Sequence, residues 1–203
     1  MEPLPWGGST LASETRELIA ARSKLRAIIQ ARSLVFAAPG QVFTLASGEQ
    51  SPFYFDMKRV TMESESARMI AKCLLPLLPA GVDQVGGLET GAVPIVVALI
   101  LQELGPKSGF FVRKTVKPHG LRGKIEGNFD PSRPVIIVDD VTTTGDSVLE
   151  AVHAVQAEGG KIAKVIAVVD RGSGGSDRVR KLGLLYDAVF SLKDFDLKRV
   201  AKA

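Results

Sequence analysis

The stretch PVIIVDDVTTTGDSV, from Pro134 to Val148, places two adjacent aspartates directly after a run of apolar residues. Three threonines, a glycine, a further aspartate and a serine follow the pair. The apolar run predicts a buried strand, and the glycine predicts a turn that leads into a helix. Such a turn offers backbone N–H groups and the positive end of a helix dipole to an anion. The stretch therefore predicts an anion-binding turn between a strand and a helix.

The side chains of this turn favour a ribose phosphate over a phosphate alone. Thr142, Thr143, Thr144 and Ser147 can add hydroxyl donors to the backbone N–H groups. The paired carboxylates would repel a phosphate unless they bind something else, such as sugar hydroxyls or a magnesium ion. A simpler alternative is that the two acids only cap the loop. The turn has neither the lysine of a P-loop nor the glycine spacing of a dinucleotide-binding fingerprint.

Hydrophobic patterning alternates between strands and helices over the second half of the chain. The predicted strands are VDQVGG, SGFFVRK, PVIIVDD, KIAKVIAVVD and LYDAVFSL. The predicted helices are AVPIVVALILQEL, DSVLEAVHAVQAEGG and a short helix from Asp177 to Leu182. This alternation predicts an α/β fold with a central, mostly parallel sheet flanked by helices. Ligands bind such sheets beyond the carboxyl ends of the strands, where the paired acids, Asp170 and Arg171 fall.

The first half of the chain contains a leader, two helices and a hairpin by the same criteria. Residues 1–12 show no periodicity and are predicted to be a loose leader, which leaves residues 13–203 as a single domain. Apolar residues at helical spacing predict a helix over Ser13–Ser33 with Ser13 as N-cap, and another over Ser64–Leu78. The segment QVFTLASGEQSPFYFDM predicts two short strands joined by a glycine-containing turn.

Composition places the chain among ordinary globular proteins of a reducing compartment. It has 203 residues, of which 45% are apolar and 24% are charged, and its longest apolar runs are too short to span a membrane. The N-terminus does not resemble a signal peptide. Cys73 is the single cysteine and cannot form an internal disulfide, so we expect a cytoplasmic protein. A net charge of +4 is too small to predict nucleic-acid binding.

A basic loop, FFVRKTVKPHGLRGKIEG from Phe110 to Gly127, follows the second of the predicted strands. It contains Arg113, Lys114, Lys117, His119, Arg122 and Lys124 together with three glycines. A long loop of this kind is typical of a lid, and its cations suit a highly anionic group such as pyrophosphate. A solvated basic loop is one alternative. Nucleic-acid binding is another, although the loop has no interleaved aromatic residues.

Four segments resemble known proteins. VIIVDDVTTTGDS resembles the phosphoribosyl pyrophosphate signature of the type I phosphoribosyltransferases. The spacing RKxxKxHG in the basic loop resembles the mobile catalytic loop of the orotate phosphoribosyltransferases, FTLASGEQSPFYFDM resembles their N-terminal hairpin, and VVDR resembles their orotate carboxylate site. The resemblance implies the type I phosphoribosyltransferase fold. It also implies a small hood formed by about residues 25–60 and the C-terminal strand region.

The resemblance also implies a reaction and its residues. Orotate would attack phosphoribosyl pyrophosphate and form orotidine 5'-monophosphate and pyrophosphate, as a step of UMP synthesis. Lys117 or His119 would donate a proton to the leaving group, and Asp139 and Asp140 would hold the ribose hydroxyls and balance the developing positive charge. The residues implied to bind phosphoribosyl pyrophosphate are Arg113, Lys114, Lys117, His119, Asp139, Asp140, Val141, Thr142, Thr143, Thr144, Gly145, Asp146 and Ser147. Those implied to bind orotate are Tyr54, Phe55, Thr143 and Arg171.

The implied cofactor is Mg²⁺, bound mainly by substrate and water with the paired acids nearby. The implied assembly is a homodimer with shared active sites, without nucleic acid or membrane. The sequence departs from many members of the family at Ala46, Glu49, Thr90 and Pro118. Two alternatives stay open. One is a phosphoribosyltransferase for a purine or uracil; the other is a regulatory protein that keeps the fold and binds nucleic acid, in line with a pI near 9.3.

Overall fold

The computed structural model describes residues 11–45, 48–115 and 123–197 of the 203-residue chain, with side chains from residue 15 onward. The helices are α1 (Leu11–Ile28), which continues as a π-helical turn (Ile29–Ser33), α2 (Lys58–Thr61), α3 (Ser64–Leu74), α4 (Ala92–Ile100), α5 (Asp146–Ala157) and α6 (Gly175–Lys181). Single 3-10 turns lie at Leu75–Leu77 and Leu192–Asp194. The strands are β1 (Leu34–Phe36), β2 (Phe43–Thr44), β3 (Gln50–Ser51), β4 (Phe53–Phe55), β5 (Gln84–Gly86), β6 (Ser108–Val112), β7 (Ile125–Gly127), β8 (Pro134–Thr142), β9 (Lys161–Asp170) and β10 (Tyr186–Ser191).

The central sheet has six strands in the order β10-β9-β8-β5-β6-β7. All neighbouring strands run parallel except β7, which pairs antiparallel with β6 at one edge. The longest strands, β8 and β9, lie next to each other and are buried along most of their length. The prediction of a mostly parallel sheet flanked by helices is confirmed.

Alternate residues of β8 pack into two separate hydrophobic cores, because successive side chains of a strand point to opposite faces. Ile136 and Val138 belong to the core that contains residues of α1, α3 and α4. Val135 and Ile137 belong to the core formed with α5 and α6. Burial on both faces explains why this strand reads as a continuous apolar run. It also holds the carboxyl end of β8 in place on both sides.

The hood strands β1–β4 form two small antiparallel pairs beside the central sheet. β2 pairs with β3 as the sequence predicts, and Gly48 between them has a φ of +80°, a conformation that favours glycine. β4 separates from this hairpin and pairs with β1 instead. The ring of Phe55 lies 5.2 Å from that of Phe195, measured between centroids, so the C-terminal segment packs against the hood strands.

Two local predictions were wrong. Ser13 is not an N-cap, because α1 begins at Leu11 and Ser13 lies inside the helix. The remaining leader residues, 1–10, lie outside the described residues. The basic loop was expected to have no internal structure, but Ile125–Gly127 forms β7 by pairing with β6. Three residues are too few to show the alternating pattern of a strand in the sequence. Only the pairing with β6 shows that this segment is a strand. No helix in the described ranges is long and apolar enough to cross a membrane.

We expect Gly86→Ala to destabilise the sheet, because a Cβ at this position of β5 would overlap the ring of Phe110. Phe110 is 2% exposed and packs on Phe129, so its ring has little room to move. Overpacking of this kind costs about 1–3 kcal/mol of unfolding free energy. Urea denaturation would measure the loss.

Gly123→Ala is the matched control, since among the described residues the nearest atom to a Cβ there, the Ile125 carbonyl oxygen, would be 3.8 Å away. Its free energy of unfolding should stay close to that of the parent. Equal stability of Gly86→Ala and the parent would contradict the packing described for β5 and β6.

Candidate active site

A cleft with a cavity volume of about 170 Å³, open to solvent, lies where the carboxyl ends of β8 and β9 meet the hood strands. Most of the predicted site residues line it. The lining residues are Leu45, Tyr54, Phe55, Asp139, Asp140, Val141, Thr143, Thr144, Gly145, Asp146, Ser147 and Arg171. Leu45 was not predicted. The structure therefore brings three separate sequence segments to one place, the hairpin, the β8–α5 turn and the end of β9.

The turn between β8 and α5 presents an open concave face to the cleft. Gly145 has a φ of +83°, and a Cβ there would lie 3.0 Å from the Cα of Gly175, so the position requires glycine. The N-terminus of α5 follows at Asp146. In the described parts of the chain, the hydroxyls of Thr143 and Ser147 make no hydrogen bond. Together with the helix dipole they can bind a phosphate group.

The outer side of the same turn is tied to α6. The Thr144 hydroxyl donates to an Oδ of Asp146 at 2.7 Å, and Arg178 donates to the Thr144 carbonyl at 2.7 Å and to the other Oδ of Asp146 at 2.6 Å. The Gly175 N–H donates to the Thr143 carbonyl at 3.0 Å. These bonds fix the backbone of the turn from outside and leave its inner face open. Arg178 was not predicted to take part.

Asp139 and Asp140 occupy the floor of the cleft in different environments. Asp139 is 7% exposed and accepts a hydrogen bond from the Thr142 hydroxyl at 3.1 Å. Burial, and then the charge of Asp140, raise the pKa of Asp139 well above its ordinary value. Asp140 is half-buried and accepts from the Val141 N–H at 2.8 Å. Burial raises its pKa too, opposed by that hydrogen bond and by the charge of Lys58.

The glycine turn after β5 makes room for the second carboxylate. A Cβ at Gly91, at the start of α4, would lie 2.6 Å from an Oδ of Asp140. The structure places this turn, GGLETG from Gly86 to Gly91, against Asp140. Any side chain at position 91 would displace the Asp140 carboxylate.

Arg171, directly after β9, is 7% exposed and is held from the hood side. One terminal nitrogen, Nη2, donates to the Ser51 hydroxyl at 3.0 Å. The guanidinium carbon lies 4.6 Å from the centroid of the Phe53 ring, a cation–π contact. The Nε–H of Arg171 is buried and has no partner in the described structure. A buried cation with an unpaired donor at the cleft wall is suited to bind a carboxylate.

Tyr54 and Phe55 both reach the cleft but differ in exposure. Tyr54 is 39% exposed and lies 6.0 Å from Phe43 between ring centroids. Phe55 is 4% exposed and packs against Phe195. Neighbouring residues of a strand point to opposite faces, which accounts for the difference. A planar ligand would therefore meet one accessible and one mainly buried ring.

The base of the basic loop is held by polar contacts on both sides. Arg113 pairs with Glu126 across the β6–β7 hairpin at 3.2 Å, and Lys124 pairs with Glu150 of α5 at 2.9 Å. The Lys114 N–H donates to the Glu89 carboxylate at 3.0 Å. These contacts fix the two ends of the loop. Lys117, His119 and Arg122, which the sequence also singled out, lie outside the described residues.

Three of the predicted ligands among the described residues, Arg113, Lys114 and Thr142, do not line the cleft. The Thr142 side chain is 1% exposed and points inward, because its hydroxyl is used by Asp139. Arg113 is bonded to Glu126 and to the Thr115 carbonyl at 3.3 Å. Sequence reasoning also missed Ser51, whose role depends on a contact with Arg171, 120 residues away. The motif SGEQSPFYF contains this serine, but no local pattern marks its partner.

Comparison with known proteins gives a consistent result. The sequence model of the phosphoribosyl transferase domain family matches residues 59–182 of this chain. The orotate phosphoribosyltransferase of Mycobacterium leprae is 40% identical over 155 residues, covering 76% of this chain and 87% of the relative. That of Aquifex aeolicus is 38% identical over 181 residues, covering 87% and 98%. The crystal structure of Mycobacterium tuberculosis orotate phosphoribosyltransferase in complex with 5-phospho-alpha-D-ribosyl 1-diphosphate superimposes with a TM-score of 0.72 and 33% identity, covering 86% and 98%.

We expect Asp139→Asn to be more stable than the parent at neutral pH. Because the pKa of Asp139 is raised, the native state binds its proton more tightly than the unfolded chain. Above the ordinary Asp pKa of about 3.9, the unfolded chain therefore loses this proton first, and the free energy of unfolding falls as pH rises. Asparagine keeps the acceptor for Thr142 but carries no charge. Its advantage in melting temperature should grow from about pH 4 upward, where about 1 kcal/mol corresponds to roughly 2–4 °C.

Asp130→Asn is the control with the opposite sign. Hydrogen bonds from Ser132 lower the pKa of this exposed carboxyl, so the charged form stabilises the fold at neutral pH. The variant should gain no stability there. A melting temperature of Asp139→Asn at or below that of the parent at pH 7 would show that the charge of Asp139 does not destabilise the fold.

Proposed function

Since this chain belongs to the orotate phosphoribosyltransferase family, we infer that it transfers the phosphoribosyl group from phosphoribosyl pyrophosphate to orotate, giving orotidine 5'-monophosphate and pyrophosphate in the synthesis of UMP. The resemblance seen in the sequence is confirmed by these relatives. One observation carries the assignment within the site: the cleft combines an open anion-binding turn, an acid pair and a buried arginine with an unpaired donor. These are the groups needed for a ribose phosphate and an acidic base.

The open turn and the acid pair bind the ribose phosphate in this proposal. The backbone of Val141–Ser147, with the hydroxyls of Thr143 and Ser147, surrounds the 5'-phosphate. Asp139 and Asp140 accept hydrogen bonds from the ribose hydroxyls. Cleavage of the anomeric bond builds positive charge on the sugar, and carboxylates held nearby stabilise that charge electrostatically. Thr142 takes part by orienting Asp139.

Arg171 binds the carboxylate of orotate, which distinguishes this base from uracil and the purines. Its unpaired Nε–H faces a charge that the neutral bases do not have. Tyr54 and Phe55 flank the pyrimidine ring, and Thr143 contacts it. The ring nitrogen is thereby positioned for attack on the anomeric carbon. A neutral base would add no counter-charge for Arg171 beyond that of Glu49.

The basic loop closes over the pyrophosphate in this proposal. Lys114, Lys117 and His119 neutralise the leaving group, and Lys117 or His119 protonates it. Arg113 reaches it only after leaving Glu126. Mg²⁺ would add charge neutralisation to the diphosphate. Because the described residues contain no group of three or more acidic, histidine or cysteine side chains that could hold a metal, substrate and water would supply most of its ligands.

A homodimer with shared active sites is part of the proposal. Val97, Ile100, Leu101 and Leu104 expose apolar side chains at the end of α4, and Leu101 and Leu104 are 76% and 88% exposed. Several large apolar side chains exposed close together in sequence favour a protein interface. We place the basic loop of one subunit over the cleft of its partner.

We further propose that the protein acts in the cytoplasm and without nucleic acid or membrane. Burial raises the pKa of the Cys73 thiol to about 11, so the thiol stays protonated and unreactive. A protein with one buried thiol depends on no disulfide. The basic residues near the cleft are assigned to pyrophosphate. Binding of nucleic acid is therefore not required to explain the positive net charge.

The assignment predicts loss of orotate absorbance when the purified protein is given orotate, phosphoribosyl pyrophosphate and Mg²⁺. Adenine, hypoxanthine and uracil, tested by chromatography of the products, serve as controls and should give no nucleotide. Turnover of a neutral base in place of orotate would overturn the role of Arg171. Absence of all turnover, with nucleic acid bound instead, would favour the regulatory alternative.

Shared sites predict complementation between two inactive variants. Lys117→Ala removes a loop cation, and we expect it to lower turnover far more than it weakens nucleotide binding. Asp140→Asn removes a ribose ligand. If the loop acts across the interface, a mixed dimer of the two variants has one intact site. Equal mixing should then restore about a quarter of the parent turnover, because half of the dimers are mixed.

The control is a mixture of each variant with itself under the same unfolding and refolding treatment. It should stay inactive. A mixture of the two variants that remains as inactive as these controls, although mixed dimers form, would show that each loop serves its own subunit.

A further inference from the structure

We propose that Ser51 and Phe53, two hood residues outside the cleft lining, are positioning residues that make the site selective for an anionic base by fixing the guanidinium of Arg171. The proposal rests on the assignment of orotate as substrate. It concerns a separate feature, the contact between the hood and the end of β9. Neither side chain needs to touch the substrate.

The Ser51 hydroxyl is oriented so that it can only accept from Arg171. It is 2% exposed and donates its one proton to the Phe53 carbonyl at 2.7 Å. Its lone pairs then accept from the Phe53 N–H at 3.3 Å and from Nη2 of Arg171 at 3.0 Å. A hydroxyl has one donor and two acceptor sites, so all three are used. Ser51 is therefore a fixed acceptor for the guanidinium.

The Phe53 ring fixes the plane of the same guanidinium. The ring is 8% exposed, and its centroid lies 4.6 Å from the Cζ of Arg171. A second ring, Phe55, lies 6.0 Å from Phe53 in an edge-to-face arrangement and holds it in turn. One nitrogen tied to Ser51 and one face on Phe53 leave the guanidinium little freedom to rotate. Its unpaired Nε–H is thereby held in one orientation.

This arrangement makes a carboxylate the ligand that completes the site. A carboxylate can give the fixed guanidinium, which lines the cleft, a charge-assisted hydrogen bond. A neutral ring at the same position offers less to a cation. An unfixed arginine would lose side-chain entropy each time it bound substrate. Ser51 and Phe53 therefore contribute to orotate affinity and not to binding of the ribose phosphate, whose ligands lie on β8 and its turn.

The test is a steady-state comparison of Ser51→Ala and Phe53→Leu with the parent protein, together with Ser33→Ala as control. Ser33 is another fully buried serine near the hood, but its hydroxyl contacts the Sδ of Met57 at 3.3 Å and not Arg171. We expect the KM for orotate to rise about tenfold in Ser51→Ala and in Phe53→Leu, the loss of roughly 1.4 kcal/mol. The KM for phosphoribosyl pyrophosphate should stay within about twofold, and Ser33→Ala should change neither value.

A neutral analogue distinguishes positioning from a general structural role. Orotamide, in which a carboxamide replaces the carboxylate, is used as a competitive inhibitor against orotate. Positioning predicts that Ser51→Ala weakens orotate but leaves the inhibition constant of orotamide nearly unchanged. Ser51→Thr, which keeps the hydroxyl, and Phe53→Tyr, which keeps the ring, should restore the KM for orotate.

The outcomes separate this inference from the proposed function. No orotate turnover by the parent protein would overturn both. Orotate turnover by the parent with unchanged KM in the variants would overturn only the positioning role. Equal weakening of orotate, orotamide and phosphoribosyl pyrophosphate would also overturn it, since that result indicates a distorted cleft. If Ser51→Ala does not fold, Phe53→Leu and its conservative partner Phe53→Tyr decide the question alone.

Discussion

Two neighbouring carboxylates held beside an open turn suited to an anion are the constraint on which the rest of this structure depends. Like charges in a buried place repel each other, and both would repel a phosphate. The fold answers with groups that favour the charged form: the Thr142 hydroxyl for Asp139, and the Val141 N–H and the charge of Lys58 for Asp140. The pKa of both acids nevertheless remains raised. The site thus keeps carboxylates that are suited to accept hydrogen bonds from sugar hydroxyls, at a cost to stability.

The two hydrophobic cores make this cost tolerable by fixing the backbone that carries the acids. β8 is buried on both faces, so the acids cannot move apart without disturbing α4 on one side or α5 on the other. The same rigidity extends to the glycine turn, where Gly91 leaves just enough space for Asp140. The outer bonds from Arg178 hold the next turn in the same way. The charged groups are therefore positioned by packing behind the cleft and by Arg178 on the outer side of the turn.

In the proposed reaction, the hood and the basic loop recognise different parts of the two substrates. Ser51 and Phe53 of the hood contact Arg171, which is assigned to the base. The loop is assigned to the leaving group. At the loop base, Arg113 is already paired with Glu126, so part of the cationic charge is balanced while the cleft is open. A diphosphate would have to compete with that carboxylate for Arg113. In the proposed reaction, base recognition and leaving-group recognition are carried by separate segments around one rigid acid pair.

The sequence by itself determined the alternating α/β order, the strand–turn–helix at Pro134–Val148 and most residues of the cleft, because hydrophobic period, glycine position and charge are local properties of the chain. The family resemblance added the substrates. Only the tertiary structure decided that Thr142 points inward, that Arg113 is paired, that Ile125–Gly127 is a strand and that Ser51 meets Arg171. These features depend on side-chain direction and on partners distant in sequence. No local pattern contains that information, since strand pairing and packing bring such residues together only in the folded chain.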